Sequence, residues 1–210
     1  MPRQNRVDPW GEIHAVAARG MLMGNRGGRL HDDAGGLGRR RWTAKRWIAC
    51  RLDFKGGKRT IMGSGYTELF FLDEATAFAA GHRPCRECRR ADYDAFAVAL
   101  AAGLGLDLEA APKADAIDAR LHGERRGSRR GAPGPAPIDP GALPAGAIAV
   151  DSARPDRALL RVPGGWRAWS FEGYTEVAPP ADPVTPLTPA SILAALAGGY
   201  APALHPSADA

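Results

Sequence analysis

Cysteine is scarce in this chain, with three among 210 residues: Cys50, Cys85 and Cys88. So small and odd a number excludes the disulfide framework of a small secreted domain. Long apolar runs are missing too. No stretch reaches the roughly 18 to 20 residues that span a bilayer, and the opening MPRQNRVDPW has no apolar core of the kind a secretory leader carries. These absences predict a cytoplasmic protein with no membrane role. There is no glycine-rich phosphate loop with its required lysine and no internal repeat, which excludes P-loop chemistry and solenoid architecture. Negative charge is thin at the start of the chain. Residues 1–60 carry 14 Lys or Arg against 5 Asp or Glu, a net of +9, whereas the last sixty carry 4 against 6, a net of −2. A basic half beside a mildly acidic one suits phosphate neutralisation on a nucleic acid, and equally a solvated arginine-rich surface.

What is present concentrates between Phe71 and Arg90, a stretch that ends in Arg83-Pro84-Cys85-Arg86-Glu87-Cys88-Arg89-Arg90. Two residues between cysteines let both thiolates face one ion from a tight turn. Pro84 stiffens the approach, and the flanking arginines Arg83, Arg86, Arg89 and Arg90 favour ionised sulfurs. This is half of a zinc site, so Zn2+ is the expected cofactor. Cys50 is either the third ligand or a core thiol on the face it shares with Ile48, Leu52 and Phe54. Candidates for the fourth ligand are His31, His14 and His82, with Asp32 and Asp53 behind them. His31 has the best setting, in a glycine-rich loop upstream of Cys50. The expected metal set is therefore Cys50, Cys85, Cys88 and His31.

Periodicity places the knuckle among short elements. Ile48, Cys50, Leu52 and Phe54 alternate as in a strand, Gly56-Gly57 turns toward a hairpin partner around Lys58 to Met62, and Thr67 to Leu72 is a further strand. Asp73 caps a helix over Ala75 to Ala80 that Gly81 ends. Tyr93, Phe96, Ala97 and Leu100 have helical spacing, which puts Cys88 near a helix N-terminus. Gly and Pro, 26 and 18 residues, together make about a fifth of the chain, above the usual share. They gather with Ala and Arg between residues 105 and 142, where linker chemistry is expected and Leu121 can dock as one helical turn. Beyond that, short strands at 147–150, 158–162, 166–171 and 173–177 precede a helix started by Thr188 and Pro189 and stopped by Gly198-Gly199. The expectation is an α+β protein: a small antiparallel sheet with short helices around a zinc knuckle at 1–104, a linker at 105–142, and a small strand-and-helix segment at 143–210.

The stretch from Phe71 to Arg90 resembles the zinc-binding module of the Ada family of methyl-accepting DNA-repair proteins. Gly81, Arg83, Pro84, Cys85, Cys88 and Arg89 match that module's element as they stand, and Cys85 and Cys88 take the place of its second pair of zinc thiolates. The resemblance implies a zinc-stabilised fold that touches DNA. Where the family has an upstream cysteine pair, one member of which accepts a methyl group from a DNA phosphotriester, this chain has Cys50 alone.

Three functions follow as expectations. The first is a DNA- or nucleic-acid-binding module, with Arg39, Arg40, Arg41, Lys45 and Arg46 on phosphates and Trp42 available for stacking. The second makes a zinc-bound Cys50 a sacrificial alkyl acceptor. The third is a zinc-stabilised protein-interaction domain. Metal-assisted hydrolysis is disfavoured, because three thiolates donate enough charge to make zinc a poor Lewis acid.

Overall fold

In the computed structural model, which describes residues 1–53, 60–107, 111–125 and 135–209, Asp73 starts the helix on which the rest is assembled. Its Oδ1 accepts from the Thr76 N–H at 2.8 Å and the Thr76 hydroxyl at 2.7 Å, which supplies a partner to a helix-start amide. Helix α1 (Glu74–Ala79) follows, and all six of its residues are buried. Its small side chains let three layers approach it. Ala77 packs with Val7, Leu69 and Phe71, while Ala75 and Ala79 pack with Ile148, Leu160 and Tyr174. Phe78 enters a third cluster with Phe96, Leu100 and Ile192.

On one side lies a sheet of β1 (Arg6–Val7), β2 (Ile13–His14), β3 (Leu22–Asn25), β4 (Ile48–Cys50), β5 (Leu69–Phe71) and β6 (Arg83–Pro84), in the order β2-β1-β5-β3-β4-β6. The β1–β5 and β4–β6 pairs are parallel and the others antiparallel. The sheet is thus larger than expected and mixed, because chain segments far apart in sequence, such as β4 and β6, pair side by side. The expected hairpin past Cys50 lies mostly at residues 54–59, outside the described residues.

On the other side β7 (Ile148–Asp151), β8 (Arg154–Val162), β9 (Gly165–Ser170), β10 (Gly173–Val177) and β11 (Val184–Pro186) form an antiparallel sheet ordered β10-β9-β8-β7-β11. Its short turns and strand ranges match the strands read from the sequence; burial alternates on β9, whereas Ala158, Leu159 and Leu160 are all buried on β8. Three further helices, α2 (Arg90–Gly103), α3 (Ala114–Arg125) and α4 (Ala190–Ala197), complete the α+β architecture. None of the described helices is long and apolar enough to cross a membrane.

Two local readings change. Residues 114–125, expected as linker, form three turns of helix that bury Ile117 and Leu121. A bidentate ion pair holds that helix, Arg83 Nε and Nη2 reaching the two Asp118 oxygens at 2.9 and 2.8 Å. Thr188 does not cap α4, whose N-cap is Pro189. The Thr188 hydroxyl instead accepts from the Ile148 N–H at 2.9 Å, so it is spent on the edge of β7.

Candidate metal centre

Backbone register brings the three cysteines together. β4 and β6 run parallel with Ile48 beside Arg83 and Ala49 beside Pro84. The ladder extends one step further, the Cys85 N–H donating to the Ala49 carbonyl at 2.9 Å. Cys85 therefore comes alongside Cys50, and the turn before α2 returns Cys88 to the same point. The three sulfurs lie within 4.8 Å of one another. Tetrahedral zinc with its usual metal–sulfur length needs sulfurs about 3.8 Å apart, so closure on an ion asks for shifts of an ångström or less. Cys50 is thus in the cluster as well as in the sheet, while Leu52, expected on its core face, is exposed.

The turn is built to hold negative sulfur. The Glu87 N–H points at Cys85 Sγ at 3.4 Å, as knuckle amides do toward metal-bound thiolates. Hydrogen bonding from the Cys50 thiol, outweighing burial, holds Cys85 down at about 5 with help from the Cys88 and Glu87 amides. Cys88 is lowered first by the same thiol. Cys50 is pushed far up because it is the proton donor to both, and burial adds to the effect. Sulfurs held this close favour deprotonation of Cys85 and Cys88, the form in which a thiol binds a divalent cation.

The arginines of the knuckle do not serve the sulfurs as expected. Arg83 is held by Asp118, Arg89 by Glu74 and Asp92, and Arg90 by Asp94, at 2.7–2.9 Å. Amide donors and the sulfurs themselves set the local electrostatics. All three cysteines line a cavity of about 490 Å³ shared with Met23, Tyr66 and Glu68, so a fourth coordination position has space in front of it.

His31 is not part of the cluster. Its ring is buried with Nδ1 bonded to the Thr67 hydroxyl at 2.6 Å and Nε2 to the Gly63 carbonyl at 2.8 Å. Both nitrogens are committed to closing two loops. His14 is tied to Asp8 at 2.8 Å, and Asp32 accepts from the Gly36 N–H. His82, three residues before Cys85, points into the core against Phe71 and Trp47 at ring distances of 4.6 and 5.1 Å. Burial beside Arg26 and Arg125 drives its pKa well below the ordinary histidine value, so it stays neutral. Of the residues proposed for nucleic acid, Arg39, Arg40, Lys45 and Arg46 are exposed, and Arg41 and Trp42 are half-buried. Trp42 packs on Trp47 and His122.

Sequence reasoning missed Arg26 and Arg125. Both are buried, and their guanidinium carbons lie 4.1 and 4.4 Å from the Trp47 ring. No spacing rule marks a buried arginine, and Arg125 comes from the segment read as linker. Comparisons with protein-family models, with curated proteins and with solved structures give no match. The fold and the site define an α+β protein carrying a three-cysteine group able to hold a metal ion.

Proposed function

We propose that this is a zinc-binding protein whose metal is held by Cys50, Cys85 and Cys88 and which docks on nucleic acid through its basic first segment. The convergence of three sulfurs from two separate segments onto one point carries the metal reading. Thiolates of this number and geometry select zinc over the hard cations. The exposed Arg39, Arg40, Lys45 and Arg46 supply the phosphate contacts. Reduced thiols of this kind suit a cytoplasmic location.

The test is metal content by native mass on the full chain, with cobalt substitution as a second readout. Wild type should carry one zinc per chain and, with cobalt, show sulfur-to-metal charge-transfer absorption. Cys50→Ser and Cys85→Ser should each lose most of the metal. A wild type with no zinc after purification in its presence would overturn the metal reading. Nucleic-acid binding should weaken steeply with salt and fall on neutralising Arg39, Arg40, Lys45 and Arg46 together. Binding indifferent to both would overturn that half.

One observation favours a second reading. The sulfurs border a 490 Å³ cavity instead of being sealed, which gives an alkylating group a route to a zinc-bound thiolate, the sacrificial-acceptor alternative. A mass gain of one methyl after incubation with methylated DNA would support it.

A further inference from the structure

A second cavity lies at the opposite end of β4 from Cys50. It shares no residue with the cysteine cavity, and its wall includes Trp10, Glu12, Arg26, Arg41, Trp42 and Arg125. Arg26 is the anomaly in it. Its side chain is 2% exposed, yet among the described residues it makes no ion pair. Nη2 donates to the Gly11 carbonyl at 2.8 Å, and Nε faces His82 Nε2 at 3.4 Å. Two other buried arginines are neutralised directly, Arg83 by Asp118 and Arg89 by Glu74, each at 2.8 Å. Glu12 and Asp8 act on Arg26 only through space, and a buried cation with no carboxylate in direct contact is costly.

The surroundings add further positive charge. Arg125 is buried against the same Trp47 ring, its Nε and Nη1 donating to the Gly81 and Lys45 carbonyls at 2.7 Å. Arg41 adds a third guanidinium to the wall, and among the described residues Glu12 is the one carboxylate there. Burial lowers Arg26 and Arg125 to about 9, so both remain charged at neutral pH while poorly solvated. The cavity, about 60 Å³, has room for roughly four to six waters, enough for a small tetrahedral oxyanion. Trp10, Trp42 and His122 offer flat surfaces around that space.

We propose that this cavity binds the phosphate of a nucleotide, with the oxyanion taken by Arg26, Arg41 and Arg125 and the base resting on Trp42. Guanidinium forks match phosphate oxygens, and an aromatic surface beside them selects a phosphate that carries a ring. The inference rests on the nucleic-acid reading only for the source of the phosphate, which is either a free mononucleotide or the end of a strand.

The experiment titrates the zinc-loaded full chain, following tryptophan fluorescence and heat, with adenosine 5′-monophosphate, adenosine and orthophosphate. It then adds an oligonucleotide with and without a 5′-phosphate. The monophosphate should bind at least about tenfold more tightly than the nucleoside and perturb the tryptophan signal, and Arg26→Gln should remove that preference. Because Arg26 is buried, Arg41→Ala, at a half-buried position, provides a second variant that should weaken the monophosphate in the same direction. Equal binding of monophosphate and nucleoside, no binding of either, or a preference untouched in both variants overturns the proposal. Oligonucleotides that bind alike with and without the 5′-phosphate, with no monophosphate binding, sink the cavity and leave the nucleic-acid reading standing. Monophosphate binding that depends on Arg41, with no oligonucleotide binding, sinks the nucleic-acid reading and leaves the cavity as a mononucleotide site.

Discussion

Gly81 links the end of α1 to the buried arginines through one missing side chain. Its φ of +80° is a left-handed value, and a Cβ built there lies 2.7 Å from Arg125 Cγ and 2.9 Å from its Nε. The same Arg125 Nε donates to the Gly81 carbonyl, so the guanidinium has no spare direction in which to retreat. Gly81→Ala therefore adds backbone strain of about 1 kcal/mol to a steric clash, and the expected loss is about 2–4 kcal/mol in urea unfolding. A midpoint indistinguishable from wild type would show that Arg125 can be displaced cheaply. A glycine after an alanine run reads as a helix stop from the sequence alone. That its open side is filled by a residue 44 positions later does not, since nothing local encodes the contact. The cysteines show the same division. Spacing marks Cys85 and Cys88 as a pair, whereas Cys50 joins them through the parallel pairing of β4 with β6. His31 sat in a plausible loop, but hydrogen bonds to Thr67 and Gly63 already use its ring.

Elements with a clear period were legible, and those made by close backbone approach were not. Tyr93, Phe96, Ala97 and Leu100 are all buried on α2, as their spacing predicts. The crossing of α2 with α4 depends on something the period does not show. A Cβ on Gly103 would fall 1.8 Å from the Ala194 carbonyl oxygen, and one on Gly198 would fall 2.0 Å from that of Ala99. The two helices thus meet backbone to backbone through a glycine on each. Gly198, read from the sequence as a helix stop, also sets this approach. The contact gives Gly103→Ala a test by sign. Helix propensity alone makes the substitution stabilising by about 1 kcal/mol. A clash with a carbonyl that cannot rotate away makes it destabilising by at least about 2 kcal/mol. Thermal or urea unfolding should show the loss, and a gain in stability would mean that α2 and α4 can separate without cost.

At the scale of the molecule, composition suggested a first domain ending near residue 104, a linker and a tail, because alanine, proline, glycine and arginine dilute the pattern between 105 and 142. Burial runs across those boundaries. Phe78, Phe96 and Leu100 share one cluster with Ile117, Leu121, Leu159 and Ile192. The α1 acids reach the same way, Asp73 accepting from the Tyr174 hydroxyl at 2.9 Å and Glu74 from the Tyr200 hydroxyl at 3.0 Å. Ending the chain at residue 107 would uncover Phe78, Phe96 and Leu100, each worth roughly 1.5–3 kcal/mol when buried. Together these losses approach the roughly 5–15 kcal/mol of net stability that a whole domain possesses. Two buried carboxylates would lose partners as well, and a metal ion held by the three cysteines would do nothing to cover that face. The truncated chain, even with zinc, should bind a hydrophobic dye and unfold without a cooperative transition, whereas the full chain should unfold in one. A sharp transition in the truncated chain would instead establish that residues 1–107 fold by themselves, with the second sheet docked on a core that is already complete.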